Sequence, residues 1–193
     1  MRQKYSLIKK ILMIDRDGTI NRRPAIEHYL TRWQDFEWLD ENVAAMELLA
    51  KRGYRFIIIS NQAGVGRGVV DRAAVDDINR RMVAGLMARG IEIMDVYICP
   101  HQPEDHCDCR KPAPGMFLCA ARDHQFRLDR SIYIGDDPRD AVAAFNAGCP
   151  SILVGPDRDV DPGNGVVATF KSPTLLGAVS WIEQRFEEWA KIG

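Results

Sequence analysis

Residues 11–19 read Ile-Leu-Met-Ile-Asp-Arg-Asp-Gly-Thr, an apolar run that ends in two acids separated by one arginine. A short apolar run bounded this way reads as a buried strand, placed here at Lys9 to Ile14. In an extended chain, residues two apart point to the same side, so Asp15 and Asp17 converge. Gly18 permits a tight turn after them. Such a strand end is either a turn or a site, and the rest of the chain decides which.

Working outward, strands and helices alternate. Glu41 to Arg52 carries Val43, Met46, Leu48 and Leu49 at helical spacing and is stopped by Gly53. Tyr54 to Ile59 is a β-branched run of the kind buried on both faces. Asn61 to Gly68 is a Gly-bearing loop, and Asp71 caps a helix to Arg89. Ile93 to Ile98 and Ser131 to Ile134 are strands, separated by a polar loop to Pro114 and a helix from Gly115 to Gln125. Asp136 to Ala147 is a helix, Ser151 to Val154 a strand, and Val166 to Phe170 an edge strand. Leu175, Leu176, Val179, Ile182, Phe186 and Trp189 give the closing helix, Thr174 to Ile192, one apolar face. This alternation predicts an α/β fold, a three-layer α/β/α Rossmann-like parallel sheet. In such folds, ligands bind beyond the carboxyl ends of the strands.

Composition sets the limits. The 193 residues suit one domain, 1–193, and 46% hydrophobic with 27% charged residues argues against disorder. Lys plus Arg number 26 and Asp plus Glu 27, a net charge of −1, so no nucleic acid partner is expected. No apolar run approaches the ~20 residues of a membrane helix, and the run after the basic N-terminus is too short for a signal core. A cytoplasmic monomer with a small-molecule partner is expected. Asp157, Asp159 and Asp161 lack the later Glu of a calcium loop and read as solvated.

Three more strand ends carry polar groups. Ser60-Asn61-Gln62 offers neutral donors to an anion. Arg110-Lys111-Pro112 offers two cations that can grip phosphate oxygens. Gly135-Asp136-Asp137-Pro138-Arg139-Asp140 opens a helix with another acid pair. Each alone is an ordinary turn, a surface pair or a helix cap. Their recurrence at one edge of one sheet, in the order Asp, Ser, Lys, Asp, is not.

This order, over residues 11–155, resembles the haloacid dehalogenase superfamily of phosphohydrolases. The resemblance implies that Asp15 is the nucleophile and forms an aspartyl-phosphate. Asp17 would protonate the leaving oxygen and then activate water. Ser60 and Lys111 would hold the phosphoryl group. Asp15, Asp136 and the backbone carbonyl of Asp17 would bind magnesium. The residue types suit that chemistry. A carboxylate approaching a phosphate dianion at ~4 Å meets about 4 kcal/mol of repulsion per charge pair, which a divalent cation and a Lys must offset. Hard oxygen ligands favour magnesium. The acids around Asp17 are expected to help it keep a proton near neutral pH.

Residues 99–109 read Cys-Pro-His-Gln-Pro-Glu-Asp-His-Cys-Asp-Cys. Cys99, His101, Cys107 and Cys109 offer four ligands suited to a closed, structural tetrahedral zinc site. His106 in place of His101, a disulfide, or free surface thiols are the alternatives. A zinc knot would preset Arg110 and Lys111 just downstream. Cys119 and Cys149 read as core residues.

With Asp-Arg-Asp-Gly-Thr-Ile-Asn from Asp15, Ser-Asn-Gln-Ala-Gly-Val-Gly-Arg-Gly from Ser60, and Cys-Asp-Cys-Arg-Lys-Pro-Ala-Pro-Gly-Met from Cys107, the zinc loop narrows the resemblance. The chain is similar to the D-glycero-D-manno-heptose 1,7-bisphosphate 7-phosphatases and to the related histidinol-phosphatase domain. The resemblance implies substrate contacts from Asn61, Arg67, Arg110 and Lys111. The stretches 64–68 and 112–116 lean toward the heptose branch, and the short spacer from His101 to Cys107 leans toward the histidinol branch. Asp137 stands where the heptose group commonly has Lys, an added anion expected to weaken contact with a second phosphate. The heptose bisphosphate ranks first, with a heptose monophosphate, another sugar phosphate or histidinol phosphate as alternatives. The segment between Asp17 and Ser60 is too short for a large cap domain. Arg22 and Arg23 within it are expected to be solvated, with a distal phosphate as the other possibility. A response-regulator-like receiver and a zinc-stapled binding module without catalysis are the rival classes, and both fit poorly.

Overall fold

The computed structural model describes residues 9–25, 29–156, 165 and 168–192. Six parallel strands form one sheet: β1 (Ile11–Ile14), β2 (Arg55–Asn61), β3 (Ile93–Cys99), β4 (Ile132–Gly135), β5 (Ser151–Val154) and β6 (Phe170–Ser172). Their order is β3-β2-β1-β4-β5-β6. The chain lays β2 and β3 on one side of β1, then crosses to lay β4, β5 and β6 on the other. The crevice between the ends of β1 and β4 is therefore the topological switch point, where open α/β sheets bind ligands. Ile14 pairs in register with Ile58 and Ile134, which brings three strand ends level.

Side chains alternate across the sheet with the two-residue period of a strand. Leu12, Ile14, Phe56, Ile58, Ile132 and Ile134 face α1 (Asp40–Lys51), α3 (Arg72–Ala88) and α6 (Leu175–Ile192). Ile11, Met13, Ile57, Ile59 and Tyr133 face α4 (Gly115–His124) and α5 (Pro138–Asn146). All four β1 residues are fully buried. At about 1.5–3 kcal/mol per large apolar side chain, this strand anchors the acids that follow it.

The expected elements are present with shifted bounds. β1 begins at Ile11 rather than Lys9, and β2 and β3 each run to the polar residues that follow the apolar run. The loop after β2 holds a one-turn helix, α2 (Ala63–Gly66). The edge strand is β6, later than expected, and residues 166–167 lie outside the described residues, as do Asp157, Asp159 and Asp161. Leu176 is 47% exposed, so it does not belong to the apolar face of α6. Cys149 is buried as expected, but Cys119 is only half-buried.

The helix expected from Asp136 starts two residues later. Pro138 occupies its first turn, and Asp137 caps it by accepting from the Arg139 N–H. Asp140 accepts from the Asp137 N–H, completing a capping box. Asp136 is thereby left outside the helix, beside the acids of the crevice. Between β1 and β2 the described residues hold only a 3-10 turn and α1, so no large cap stands over the strand ends. Among the described residues, no helix is long and apolar enough to cross a membrane.

Candidate active site

The strand ends line one cavity of about 430 Å³. Asp15, Asp17, Ser60, Asn61, Gln62, Lys111 and Asp140 line its inner part, and Arg23, Arg67, Arg110, Asp137 and Arg139 also border it. Pro24, Ala25, Tyr29 and Leu30 supply a largely apolar wall. Asp15, Ser60 and Lys111, far apart in sequence, are buried around it, and buried Asp136 clusters with Asp15 and Asp140 while lining an adjacent pocket.

Lys111 is the hub. Its ammonium lies 3.1 Å from Asp15 Oδ1 and 2.7 Å from Asp140 Oδ1. It also donates to the Tyr133 hydroxyl at 2.6 Å and to the Ile59 carbonyl at 3.2 Å. Burial works against its charge, but Asp140 and Asp15 outweigh that and raise its pKa. Its backbone is held by a reciprocal amide pair: the Lys111 N–H donates to Asn61 Oδ1, and Asn61 Nδ2 donates to the Lys111 carbonyl, each at 3.0 Å. Asn61, expected to touch substrate, thus has both ends of its amide engaged in positioning Lys111.

Burial pushes the Asp15 carboxyl up to about 7; Lys111 pulls the other way, while Asp140, Asp136 and Asp17 add to the rise. Asp17 behaves oppositely to the sequence expectation. Burial raises its pKa too, but the Arg16 charge and hydrogen bonds from Arg16, Asn21 and Gln62 outweigh it, and the net shift is downward. The correction has a clear cause. Arg16 is 1% exposed and folds back to grip Asp17, with further bonds to Asn79 and Gln62. Gln62 in turn donates to Asp17 at 2.9 Å and to Ser60 Oγ at 3.1 Å. The neighbour that governs Asp17 is the cation between the two acids.

The oxygens of Asp15, Asp136 and Asp140 come within 4.8 Å of one another. An all-carboxylate donor set with this crowding of charge fits a hard divalent cation such as magnesium. The Asp17 carboxylate lies outside this cluster. Two glycines make the cluster possible. A Cβ on Gly18, whose φ is +88°, would fall 2.0 Å from Asp136 Oδ2. One on Gly135 would fall 2.3 Å from Asp140 Oδ2.

Asp140 escaped the sequence reading because an acid three residues after a capping Asp already has a structural explanation. Arg23 was expected to be solvated. Instead it contacts Asp136 Oδ1 at 2.5 Å and Asp137 Oδ2 at 3.2 Å. Arg22 is exposed and pairs with Glu37, as a solvated residue would. Asp137 is not a bare anion facing the cavity. Burial opposes its charge, but bonds from Arg139 and the charges of Arg139 and Arg23 hold it well below the carboxylate range. The border therefore keeps a cationic excess, with Arg67 bonded to the Tyr29 hydroxyl and Arg110 donating to the His101 carbonyl.

The second cluster lies beside the first. Cys99 Sγ, His101 Nδ1, Cys107 Sγ and Cys109 Sγ stand 3.3–3.7 Å apart wherever they pair. Tetrahedral zinc with bonds of about 2.0–2.3 Å demands edges near these lengths, so the donors fit that ion. His106 lies outside the cluster, and all five cysteines are free thiols. Hydrogen bonds from Cys109 and nearby backbone N–H groups outweigh burial and bring the Cys107 thiol down to about 7. The Cys99 carbonyl accepts from the Gln62 N–H at 2.7 Å, tying this loop to the β2 end.

Known proteins are similar to this chain in sequence and fold. A family model described as polynucleotide kinase 3 phosphatase matches residues 10–146. The D-glycero-beta-D-manno-heptose-1,7-bisphosphate 7-phosphatase of Photorhabdus laumondii is 38% identical over 141 residues, covering 69% of this chain and 73% of the relative. Its counterpart from Pseudomonas putida is 33% identical over 145 residues, covering 75% and 82%. The D,D-heptose 1,7-bisphosphate phosphatase of B. bronchiseptica, solved with magnesium and phosphate, superposes with a TM-score of 0.82 at 30% identity, over 91% of this chain and 98% of that one. The chain belongs to the heptose-1,7-bisphosphate 7-phosphatase family of the haloacid dehalogenase superfamily.

Proposed function

We propose that the chain hydrolyses the 7-phosphate of D-glycero-D-manno-heptose 1,7-bisphosphate through an aspartyl-phosphate on Asp15. The observation that carries this reading is the convergence of Asp15, Ser60 and Lys111 on the switch-point cavity, with Asp136 clustered against Asp15 and Asp140. The names of the relatives supply the sugar. The cationic border suits a substrate with a second phosphate, because Asp137 is matched by Arg23 and Arg139.

The residues divide the work as follows. Asp15 Oδ attacks phosphorus, and the bond to the sugar oxygen breaks. Lys111 and the Ser60 hydroxyl hold the phosphoryl oxygens, since catalysis of this transfer is mainly positioning and charge neutralisation. Asp17 gives a proton to the departing sugar oxygen, then takes one from the water that attacks the phosphoaspartate. Asp17 rests ionised; the phosphate bound beside it raises its proton affinity, so it takes up a proton from solvent before giving it to the sugar oxygen, and it returns the proton gained from the attacking water to solvent. Asp15 and Asp136, with Asp140 beside them, would hold magnesium, which when bound neutralises the charge that opposes attack. Arg67 and Arg110, which border the cavity, would meet the remote phosphate. We assign zinc to the cysteine cluster as a structural ion that holds Arg110 and Lys111 in place.

The test is phosphate release under magnesium from the heptose bisphosphate, a heptose monophosphate and histidinol phosphate, compared as kcat/KM. The bisphosphate is expected to lead by tenfold or more. A lead for histidinol phosphate overturns the substrate assignment, and no release from any of the three overturns the reaction.

A further inference from the structure

Arg23 is a border cation that touches the acid cluster. It reaches Asp136, whose side chain is 5% exposed, from a loop more than a hundred residues away in sequence. One terminal nitrogen bonds Asp136 and the other bonds Asp137. The third nitrogen, Nε, is buried and has no acceptor among the described residues. A buried donor without an acceptor is costly, so it marks a position awaiting an anion. Asp137 is also held by Arg139, which makes it a fixed anchor for the loop side.

We propose that Arg23 couples the metal site to the substrate site by sharing Asp136 with the cation. Building on the phosphatase reading above, a divalent ion on Asp136 competes with the guanidinium for the same carboxylate. Arg23 then keeps its bond to Asp137, and its released N–H groups, with the already unpaired Nε–H, turn to the phosphoryl oxygens in the cavity. The residue thus lowers the affinity for metal alone and raises the affinity for phosphate once metal is present. Its role is positioning and charge matching, with no bond made or broken.

The two effects have opposite signs, which separates this role from a merely structural one. In Arg23→Gln, calorimetric titration with magnesium alone is expected to give at least tenfold tighter binding. Inorganic phosphate titrated at saturating magnesium is expected to bind about tenfold more weakly. Arg139→Gln, which leaves the Asp136 contact in place, is expected to change magnesium affinity less than threefold. Thermal melts confirm that both variants are folded. Unchanged or weaker magnesium binding in Arg23→Gln overturns the proposal, and so does tighter magnesium with unchanged phosphate. Should the unsubstituted protein bind no magnesium, the phosphatase reading itself fails, a result distinct from either.

Discussion

Replacing Asp15 by Asn should make the metal-free protein more stable while ending turnover. Burial and the surrounding acids push the Asp15 carboxyl up from 3.8 to about 7. A raised carboxyl pKa means that the folded state holds a proton the unfolded chain releases. Stability is therefore unaffected below the unfolded value, falls as pH rises through 4 to 7, and stays reduced above that. Three units at 1.36 kcal/mol each give about 4 kcal/mol at pH 8, and about 2 kcal/mol at pH 5 where the titration is incomplete. Asn keeps the oxygen that accepts from the Arg16 N–H and carries no charge, so it escapes this cost. Lys111 keeps its partner in Asp140. For a chain of this size, about 2–4 °C per kcal/mol predicts a gain of up to roughly 8–16 °C at pH 8 and about half that at pH 5. The assay is thermal unfolding of both proteins in chelator-treated buffer at the two pH values, then with magnesium. Magnesium should raise the melting point of the unsubstituted protein far more than that of the variant. A gain independent of pH, or no gain at all, refutes the electrostatic reasoning. Phosphate release at the normal rate refutes the covalent mechanism.

Other expectations follow from named contacts. Gly18→Ala sets a Cβ 2.0 Å from Asp136 Oδ2 on a backbone with positive φ. It should cost about 1–2 kcal/mol of stability and weaken magnesium binding, both measurable by melts and calorimetry. Asn61→Ala breaks the reciprocal pair with Lys111 and should lower kcat about tenfold or more while the chain remains folded by circular dichroism. Cys107→Ala or strong chelation should raise KM and lower kcat together. Metal analysis should give near one zinc per chain, and far less would remove the premise. Arg16→Met leaves Asp17 without its buried cation, so the acid limb of the kcat profile should move upward in pH, and an unmoved limb would deny Arg16 its role.

Much of the fold was legible because the apolar runs around Met13, Ile58 and Ile134 are short, bounded and separated by helical patterns. The cluster of polar groups was legible where a polar residue follows a buried strand, as at Asp15 and Ser60, or closes the loop after one, as at Lys111. The reading failed where one residue serves two purposes. Asp140 looks like a capping partner, and is one, yet it also bonds Lys111. Arg16 sits between two acids in sequence, but only burial reveals that its guanidinium folds back onto Asp17. Arg23 looks like surface charge until the chain brings Asp136 and Asp137 beside it. Long-range ion pairs leave no periodicity, so pattern alone cannot announce them.

The apolar wall made by Pro24, Ala25, Tyr29 and Leu30 comes from a single connection after β1, whereas Asp15 and Ser60 stand at the ends of β1 and β2. On the proposed function, part of the sugar contact would thus come from a segment distinct from the strand ends that carry Asp15 and Ser60. Transplanting that connection between sister enzymes offers a way to retarget the sugar without rebuilding the catalyst, and a lineage could explore new metabolites by the same exchange.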